Sequence, residues 1–181
     1  MPCPKLLVCI KSSLAESAKE CFLEAMSRHY EEIIEGATLP RSAPVERHEK
    51  ICDRLHREMA GSVAGLTAMQ LLPPRTQVQI SRSSAFCPDL ALVTAATGRL
   101  FLAVEIVSRD DHRADTVTKK EIYDQIRVPR LWMVDPRYDN VEVYHSTEFG
   151  LQLKGILAGR EVLVEKLVPQ FKITVTDLFA V

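Results

Sequence analysis

The stretch PDLALVTAATGRLFLAVEIVS, residues 88–108, decides the fold and contains the two acidic residues that point to a function. Two runs of apolar and β-branched residues flank a turn-forming segment at 94–98, which predicts an antiparallel hairpin. If the two strands pair about position 97, Asp89 lies directly opposite Glu105. Opposed residues in such a pair have Cβ atoms about 4.5–5.5 Å apart. The sequence therefore predicts two neighbouring carboxylates on adjacent strands.

This pair of carboxylates needs a compensating charge. Two carboxylates so close repel each other unless a cation or a proton lies between them. Both faces of the hairpin are largely apolar, as in a central strand covered on both sides, and a carboxylate there is costly to bury unless it is paired or metal-bound. A hard divalent ion such as Mg²⁺, with oxygen ligands at about 2.0–2.1 Å, fits between Asp89 and Glu105. The alternative is that Asp89 begins its strand as a turn residue and Glu105 pairs with an arginine.

A helix predicted over residues 114–127 supplies a third group. At about 100° per residue, Lys119 shares a stripe with Ile122 and Ile126, whereas Lys120 points about 100° away. The apolar residues mark the inward face of the helix. Lys119 is therefore the lysine that we expect to face the sheet and the two acids. The alternative is an ordinary helix lysine whose stem packs on the protein while its charge reaches water.

The rest of the chain predicts a single α/β domain over residues 1–181, with a mixed central sheet flanked by helices. An amphipathic helix is predicted at 13–28, which is the least supported part, and a short hairpin in YEEIIEGATLP. Pro44 opens a second helix, and TVTDLF forms a closing helical turn. Further strands are predicted in RTQVQIS (75–81), LWMV (131–134), VEVYH (141–145), LQLKGIL (151–157) and VLVEKLV (162–168).

Composition limits the function. The chain has 181 residues, of which 46% are hydrophobic and 26% charged, as expected of a globular protein. Its formal net charge of -1 argues against a protein that coats nucleic acid through an overall positive field, but not against an enzyme with basic residues on one face. The five cysteines form no C-x-x-C pair, so we expect free thiols in a reducing compartment. No signal peptide or membrane span is predicted, and we expect a cytoplasmic protein.

Several motifs in order resemble one family. They are PDLALV, AVEIVS, DTVTKKEIYDQIRVPRLWMVDP, VEVY and VPQFKITVTDLF. With YEEIIEG and SAPVERHEKI upstream, they resemble the Uma-type family of restriction-endonuclease-like proteins, a branch of the PD-(D/E)xK nuclease superfamily. The resemblance covers roughly residues 30–179. It implies a restriction-endonuclease-like fold with a mixed central sheet.

The resemblance also gives the predicted site residues their roles. Asp89 matches the aspartate of the PD pair, and Glu105 matches the second metal-binding acid. In the simplest superfamily pattern the lysine comes two residues after this acid, where this chain has Val107. In the Uma-type family the lysine lies on the following helix, where Lys119 matches. Asp89, Glu105 and Lys119 are thus the expected catalytic residues.

Three further positions bear on the resemblance. Tyr123, one turn after the lysine, is a family-like residue. Ala37 follows Gly36 where many relatives carry an acid, which removes an additional acidic contribution. Arg109 stands where proline is usual, a change of local importance only.

The implied reaction is hydrolysis of DNA phosphodiester bonds with Mg²⁺ or Mn²⁺. The ion would be held by Asp89, Glu105 and the carbonyl of Ile106, and would polarise the phosphate and activate a water molecule. Lys119 would orient or deprotonate that water, or stabilise charge on the phosphorane. The alternative is an inactive nuclease-fold protein that binds nucleic acid or a protein partner; hydrolysis of another phosphoester is a third interpretation. A homodimer would suit double-strand cleavage.

Three other residues could have a functional role, but the sequence favours a structural or solvent-exposed one. His48 lies on the apolar face of its helix and is interpreted as a satisfied core or interface histidine. His112, in RDDHRAD, is assigned to a solvated loop; Arg109 and Arg113 of that loop would be placed to contact a DNA backbone. Trp132 is assigned to a buried strand and not to a base-stacking surface.

Overall fold

The computed structural model describes residues 30–108 and 114–181. The helix predicted at 13–28 and the residues Arg109, His112 and Arg113 lie outside the described residues. The described elements, in chain order, are β1 (Tyr30–Ile34), β2 (Ala37–Arg41), α1 (Glu46–Val63), β3 (Met69–Leu71), β4 (Val78–Gln79), β5 (Ala85–Phe86), β6 (Leu90–Thr94), β7 (Leu100–Ile106), a π-helix (Ala114–Lys119) that continues as α2 (Lys120–Gln125), β8 (Arg130–Asp135), β9 (Asn140–Thr147), β10 (Gly150–Ala158), β11 (Val162–Glu165), β12 (Val168–Thr174) and α3 (Val175–Phe179).

The hairpin of β6 and β7 has the predicted register. Leu90 lies opposite Val104 and Leu92 opposite Leu102, which is the pairing about position 97. A bulge after Leu92 shifts the last pair by one residue, next to the turn. The two strands are buried on both faces apart from their ends, as their apolar sequence predicts.

The central sheet has six strands in the order β10-β9-β8-β7-β6-β3. Within it β7 and β8 are parallel, whereas the other neighbours are antiparallel. One face packs against α1, β12 and α3, around residues such as Leu55 and Phe171, and the other packs against α2 through Ile122 and Tyr123. The fold is therefore the mixed sheet with flanking helices that the sequence predicts. A smaller sheet, β2-β1-β5-β4, contains the predicted YEEIIEGATLP hairpin.

Three local predictions differ from the structure. RTQVQIS forms only the two-residue β4, because a turn at Pro73 precedes it and Arg75 adopts a left-handed conformation with φ 55°. VLVEKLV is broken into β11 and β12 by a turn, in which the Glu165 carboxylate accepts a hydrogen bond from the amide of Leu167. The helix predicted from 114 begins as a π-helix, although the stripe from Lys119 onward keeps α-helical spacing.

Gly150, at the start of β10, is the glycine whose replacement we expect to cost most stability. Its φ is +100°, and a Cβ built there would lie 2.6 Å from Oδ1 of Asp124, which accepts a hydrogen bond from the Leu151 amide. We expect Gly150→Ala to lower the free energy of unfolding by about 1–3 kcal/mol, because the backbone is strained and the carboxylate must move. Urea denaturation measures this as a lower midpoint at an unchanged slope.

Gly155, in the same strand, provides the matched control. Its added Cβ would meet its nearest neighbour, a Leu157 methyl group, at an ordinary 3.9 Å. Gly155→Ala should therefore change the midpoint much less than Gly150→Ala. Equal midpoints for the two variants would mean that the positive φ of Gly150 and its close approach to Asp124 cost no stability.

Candidate active site

Asp89 lies just before β6 and is buried. Its Oδ1 is 2.8 Å from Nε2 of His48 and accepts a hydrogen bond from Nε of Arg75 at 3.2 Å; its Oδ2 accepts one from the Ile106 amide at 2.8 Å. Burial acts to raise the pKa of Asp89, but the charge and hydrogen bond of His48, the charge of Arg75 and the Ile106 amide outweigh it. They hold the pKa well below its usual range, so the carboxylate is an anion at neutral pH.

Glu105, in β7, is also buried and is held by two side chains from the following helix. The Lys119 ammonium donates to Oε2 at 2.9 Å, and the Tyr123 hydroxyl donates to Oε1 at 2.7 Å. Burial raises the pKa of Tyr123, and the charge of Glu105 raises it further. The phenol therefore stays protonated and remains a donor to Glu105.

Lys119 lies between two carboxylates. Its side chain is 1% exposed, and Nζ lies 2.9 Å from Oε2 of Glu105 and 2.8 Å from Oε1 of Glu32. Lys120 extends instead to Tyr144, with its Nζ 5.0 Å from the centre of that ring. Lys119, the lysine that the helical spacing placed on the inward face, is therefore the one that binds the acids. Val107, at the lysine position of the simplest superfamily pattern, packs in the apolar cluster on that side of the sheet.

Glu32, in β1, belongs to the site although sequence reasoning missed it. Its side chain is fully buried and accepts a hydrogen bond from the Cys87 amide at 2.9 Å. Nε of Arg41 lies 3.3 Å from its other oxygen, Oε2. The signal was available in the strand pattern, because Glu32 alternates with Ile34 on the inward face of YEEII. An inward acid in a half-buried strand indicates a buried partner.

His48 and Trp132 are both buried, as predicted for a core histidine and for a tryptophan in a buried strand. Trp132 stacks on Phe171 in the core, with ring centroids 5.4 Å apart. His48 is satisfied, but its partner is Asp89, so this histidine is part of the site and not merely of the core. An apolar stripe predicts burial and does not identify the partner.

A cavity of about 460 Å³ opens beside these acids. Asp89 and Glu105 both line it, together with the residues at the end of β7. Lys119 is not one of the described residues that line this cavity. The remaining lining residues come from β1, the end of β2 and the connection to α1, the first turn of α1, the end of β7 and the β8–β9 turn: Tyr30, Arg41, Ser42, Ala43, Pro44, Val45, Arg47, His48, Ile106, Val107, Ser108, Pro136 and Arg137.

The oxygen donors at the cavity are few. In the part of the chain that the structure describes, no group of three or more His, Cys, Asp or Glu side chains is arranged to hold a metal ion. The acidic residues that line the cavity are Asp89 and Glu105, and Ile106 lines it beside them. Mg²⁺ is commonly held by one or two carboxylates, with water and substrate phosphate completing its octahedron. The donor chemistry therefore fits a hard divalent ion that keeps several of its waters.

The mixed sheet with flanking helices is a restriction-endonuclease-like fold, in which two buried acids, Asp89 just before β6 and Glu105 in β7, line one cavity. The sequence profile of the Uma2 family, described as "Putative restriction endonuclease", matches residues 19–176, and the chain belongs to this family. The fold is similar to that of a putative nuclease of DUF820 from Anabaena variabilis ATCC 29413, with a TM-score of 0.70 at 15% identity, over 83% of this chain and 89% of that one. The comparison with curated proteins gives no match.

The described helices also bear on membrane association. Across residues 30–108 and 114–181, no helix combines the length and apolar character needed to cross a membrane.

Proposed function

We propose that this protein is a divalent-metal-dependent endonuclease that hydrolyses DNA phosphodiester bonds with Mg²⁺ or Mn²⁺. The observation that carries the proposal is that Asp89, just before β6, and Glu105, in β7, line one cavity while Lys119 is bonded to Glu105. The family membership supports the same reaction class. Two buried carboxylates beside a cavity are costly to maintain without a function that uses their charge.

The residues present fit a metal ion. Asp89, Glu105 and the Ile106 carbonyl would hold it, because each carboxylate has about four lone-pair sites and hydrogen bonding does not exhaust them. When bound, the ion would polarise the phosphate and lower the pKa of a water molecule. The protein's own part is to keep both acids ionised and in place. His48 and Arg75 do this for Asp89.

Lys119 acts on the site through Glu105. Its ammonium is buried and bonded to both Glu105 and Glu32, so in this arrangement it fixes the orientation and charge of Glu105. Tyr123 assists by donating to the other oxygen of the same carboxylate. Orienting the water or stabilising the phosphorane, the roles expected from the sequence, would require the ammonium to reach the cavity. We therefore assign Lys119 a positioning role.

Cleavage of supercoiled plasmid DNA is expected only with Mg²⁺ or Mn²⁺. EDTA should abolish it and excess Mg²⁺ should restore it, because without the ion the two acids repel the phosphate instead of activating it. The assay follows conversion of supercoiled plasmid to nicked and linear forms on a gel. Glu105→Gln, purified in the same way, controls for contaminating nucleases. Equal cutting by wild type and Glu105→Gln would contradict the proposal.

The second candidate is a nuclease-fold protein that binds nucleic acid or a partner without cleaving it. The observation that favours it is the burial of Lys119 between two glutamates, behind the cavity wall. Binding of DNA with no cleavage under any divalent ion would select this candidate. Cleavage of a simple phosphodiester, with DNA left intact, would select a different phosphoesterase.

Two further properties belong to the same proposal. Cys52 and Cys87 are free buried thiols, in keeping with action in the cytoplasm. A homodimer, which would bring two sites to the two strands, is tested by sedimentation of the protein with and without DNA.

A further inference from the structure

The cavity shared by Asp89 and Glu105 also has a cationic side. Three arginines line it: Arg41, Arg47 and Arg137. A DNA phosphodiester is an anion, so cations must offset its repulsion from the two carboxylates as it approaches. A metal ion would supply part of that charge, and a fixed cation in the cavity wall would supply more. The three arginines differ in how they are held.

Arg47 and Arg137 are partly exposed and bind carboxylates at the turn between β8 and β9. Nη2 of Arg47 lies 2.7 Å from Oδ1 of Asp139, and Nη2 of Arg137 lies 2.6 Å from Oδ2 of Asp135. Charges at a wet surface are screened by salt, and such pairs contribute little. These two arginines are therefore rim charges.

Arg41 is held differently. It is the last residue of β2, whose other four residues are exposed, yet Arg41 itself is 4% exposed. Its cross-strand partner is Tyr30, and Glu32 lies diagonally across on β1. Burying a guanidinium is costly unless a carboxylate compensates it, and the fully buried Glu32 does so at 3.3 Å. Glu32 thus fixes Arg41 in the cavity wall.

Glu32 orients two cations in different directions. Oε1 receives the Lys119 ammonium, which continues to Glu105, whereas Oε2 faces Arg41. Of these two cations, Arg41 is the one that lines the cavity. A guanidinium carries five N–H donors in a planar fork that matches phosphate oxygens. A cation held at a poorly hydrated wall acts on an anion more strongly than an exposed one does.

We propose that Arg41, positioned by Glu32, binds a backbone phosphate of the DNA strand that enters the cavity. This inference rests on the proposed nuclease function and adds a substrate contact to it. Arg41, in the cavity lining, supplies the cation for the phosphate, whereas Lys119, outside that lining, supplies the cation that fixes Glu105. Arg47 and Arg137 contribute attraction at the rim that salt weakens.

The test compares Arg41→Ala, Arg41→Gln and Arg41→Lys with wild type. The matched control is Arg57→Ala, which removes an exposed arginine of α1 that pairs with Asp53. For each protein, kcat and KM are measured for Mg²⁺-dependent plasmid cleavage, and the affinity for a fluorescein-labelled DNA duplex is measured with Ca²⁺ in place of Mg²⁺ over a range of salt concentrations. Thermal unfolding checks that each variant is folded.

Arg41→Ala and Arg41→Gln are expected to lower kcat/KM by roughly 10- to 100-fold. They should also reduce the slope of log affinity against log salt concentration by about 1, because one phosphate contact is lost. Arg41→Lys should keep the slope, since it keeps the charge, but recover only part of kcat/KM because the planar fork is gone. Arg57→Ala should match wild type. A purely structural role would lower the unfolding temperature and leave the salt slope unchanged.

The outcomes separate this inference from the nuclease proposal. If wild type cleaves and folded Arg41→Gln has the wild-type kcat/KM and salt slope, Arg41 is wrongly assigned while the nuclease proposal stands. If wild type binds DNA with an Arg41-dependent slope and never cleaves, the nuclease proposal is wrong and the Arg41 contact stands. If wild type neither binds nor cleaves DNA, both are overturned. If Arg41→Ala does not fold, the longer Gln and Lys side chains carry the same comparison.

Discussion

Lys119→Met is expected to reduce DNA cleavage by about 100- to 1,000-fold and to destabilise the protein by about 3–5 kcal/mol. Both effects have one cause. The ammonium lies between Glu32 and Glu105, and without it two buried carboxylates lose the cation that they share. Glu105 then keeps the Tyr123 hydrogen bond but loses the cation bonded to its other oxygen. Plasmid cleavage rates and urea denaturation measure the two effects separately.

The neighbouring lysine provides a matched control for this prediction. Lys120→Met removes the same charge one residue away, from a side chain that lies against Tyr144. It should leave cleavage unchanged. A double variant, Lys119→Met with Glu32→Gln, should recover part of the lost stability, because one buried negative charge is removed with the positive one, but it should not recover cleavage. Wild-type cleavage by Lys119→Met would remove this lysine from the site.

Asp89→Asn is the second substitution with a large expected effect. We expect cleavage to fall by roughly 1,000-fold and the affinity for Mn²⁺ to be lost. The amide keeps the volume of the carboxylate, but its NH₂ group must face one of the donors that Asp89 accepts from, whichever way it is turned. His48 and Arg75 would face it on one side, and the Ile106 amide on the other. We expect a stability loss of about 3 kcal/mol, because a buried arginine loses a counter-charge.

Calorimetric titration with Mn²⁺ provides the readout that does not depend on activity. Wild type should bind the ion and Asp89→Asn should not. Asp53→Asn, which neutralises a half-buried acid of α1 paired with Arg57, is the control and should bind as wild type does. Wild-type Mn²⁺ affinity in Asp89→Asn would mean that the ion, if used, is held elsewhere.

The central hairpin could be predicted because its information is local. The turn residues at 94–98, between two apolar runs, determine one register, and a register error of one residue would send every side chain to the opposite face. Lys119 faces inward, as predicted, because the information that places it is also local. The π-helix changes the spacing before Lys119, but the residues that mark the inward face follow it in regular α-helix, with Ile122 inside that helix and Ile126 at its C-cap.

The surrounding charges could not be predicted in the same way. Glu32 meets Lys119, and His48 meets Asp89, across large distances in sequence. Alternation shows that Glu32 faces inward, but nothing local indicates which cation it finds there. Arg41 is harder still, because it ends a strand whose other residues are exposed. Its burial follows from how the small sheet packs on the central one, which is a property of the assembled fold.

The parallel pairing of β7 and β8 has a consequence for how relatives of this chain can diversify. Parallel strands bring their carboxyl ends to the same edge, so residues 106–108 and the turn at 136–139 border the cavity together. Glu105 belongs to the ladder between β7 and β8, and Asp89, just before β6, is fixed by the Ile106 amide, so neither position can change without disturbing the sheet. The turn, closed by the pairing of Asp135 with Asn140, can accept new side chains without altering a strand. If the chain is a nuclease, as proposed, substitutions at this turn would change the substrate contacts at the cavity while Asp89 and Glu105 stay in place.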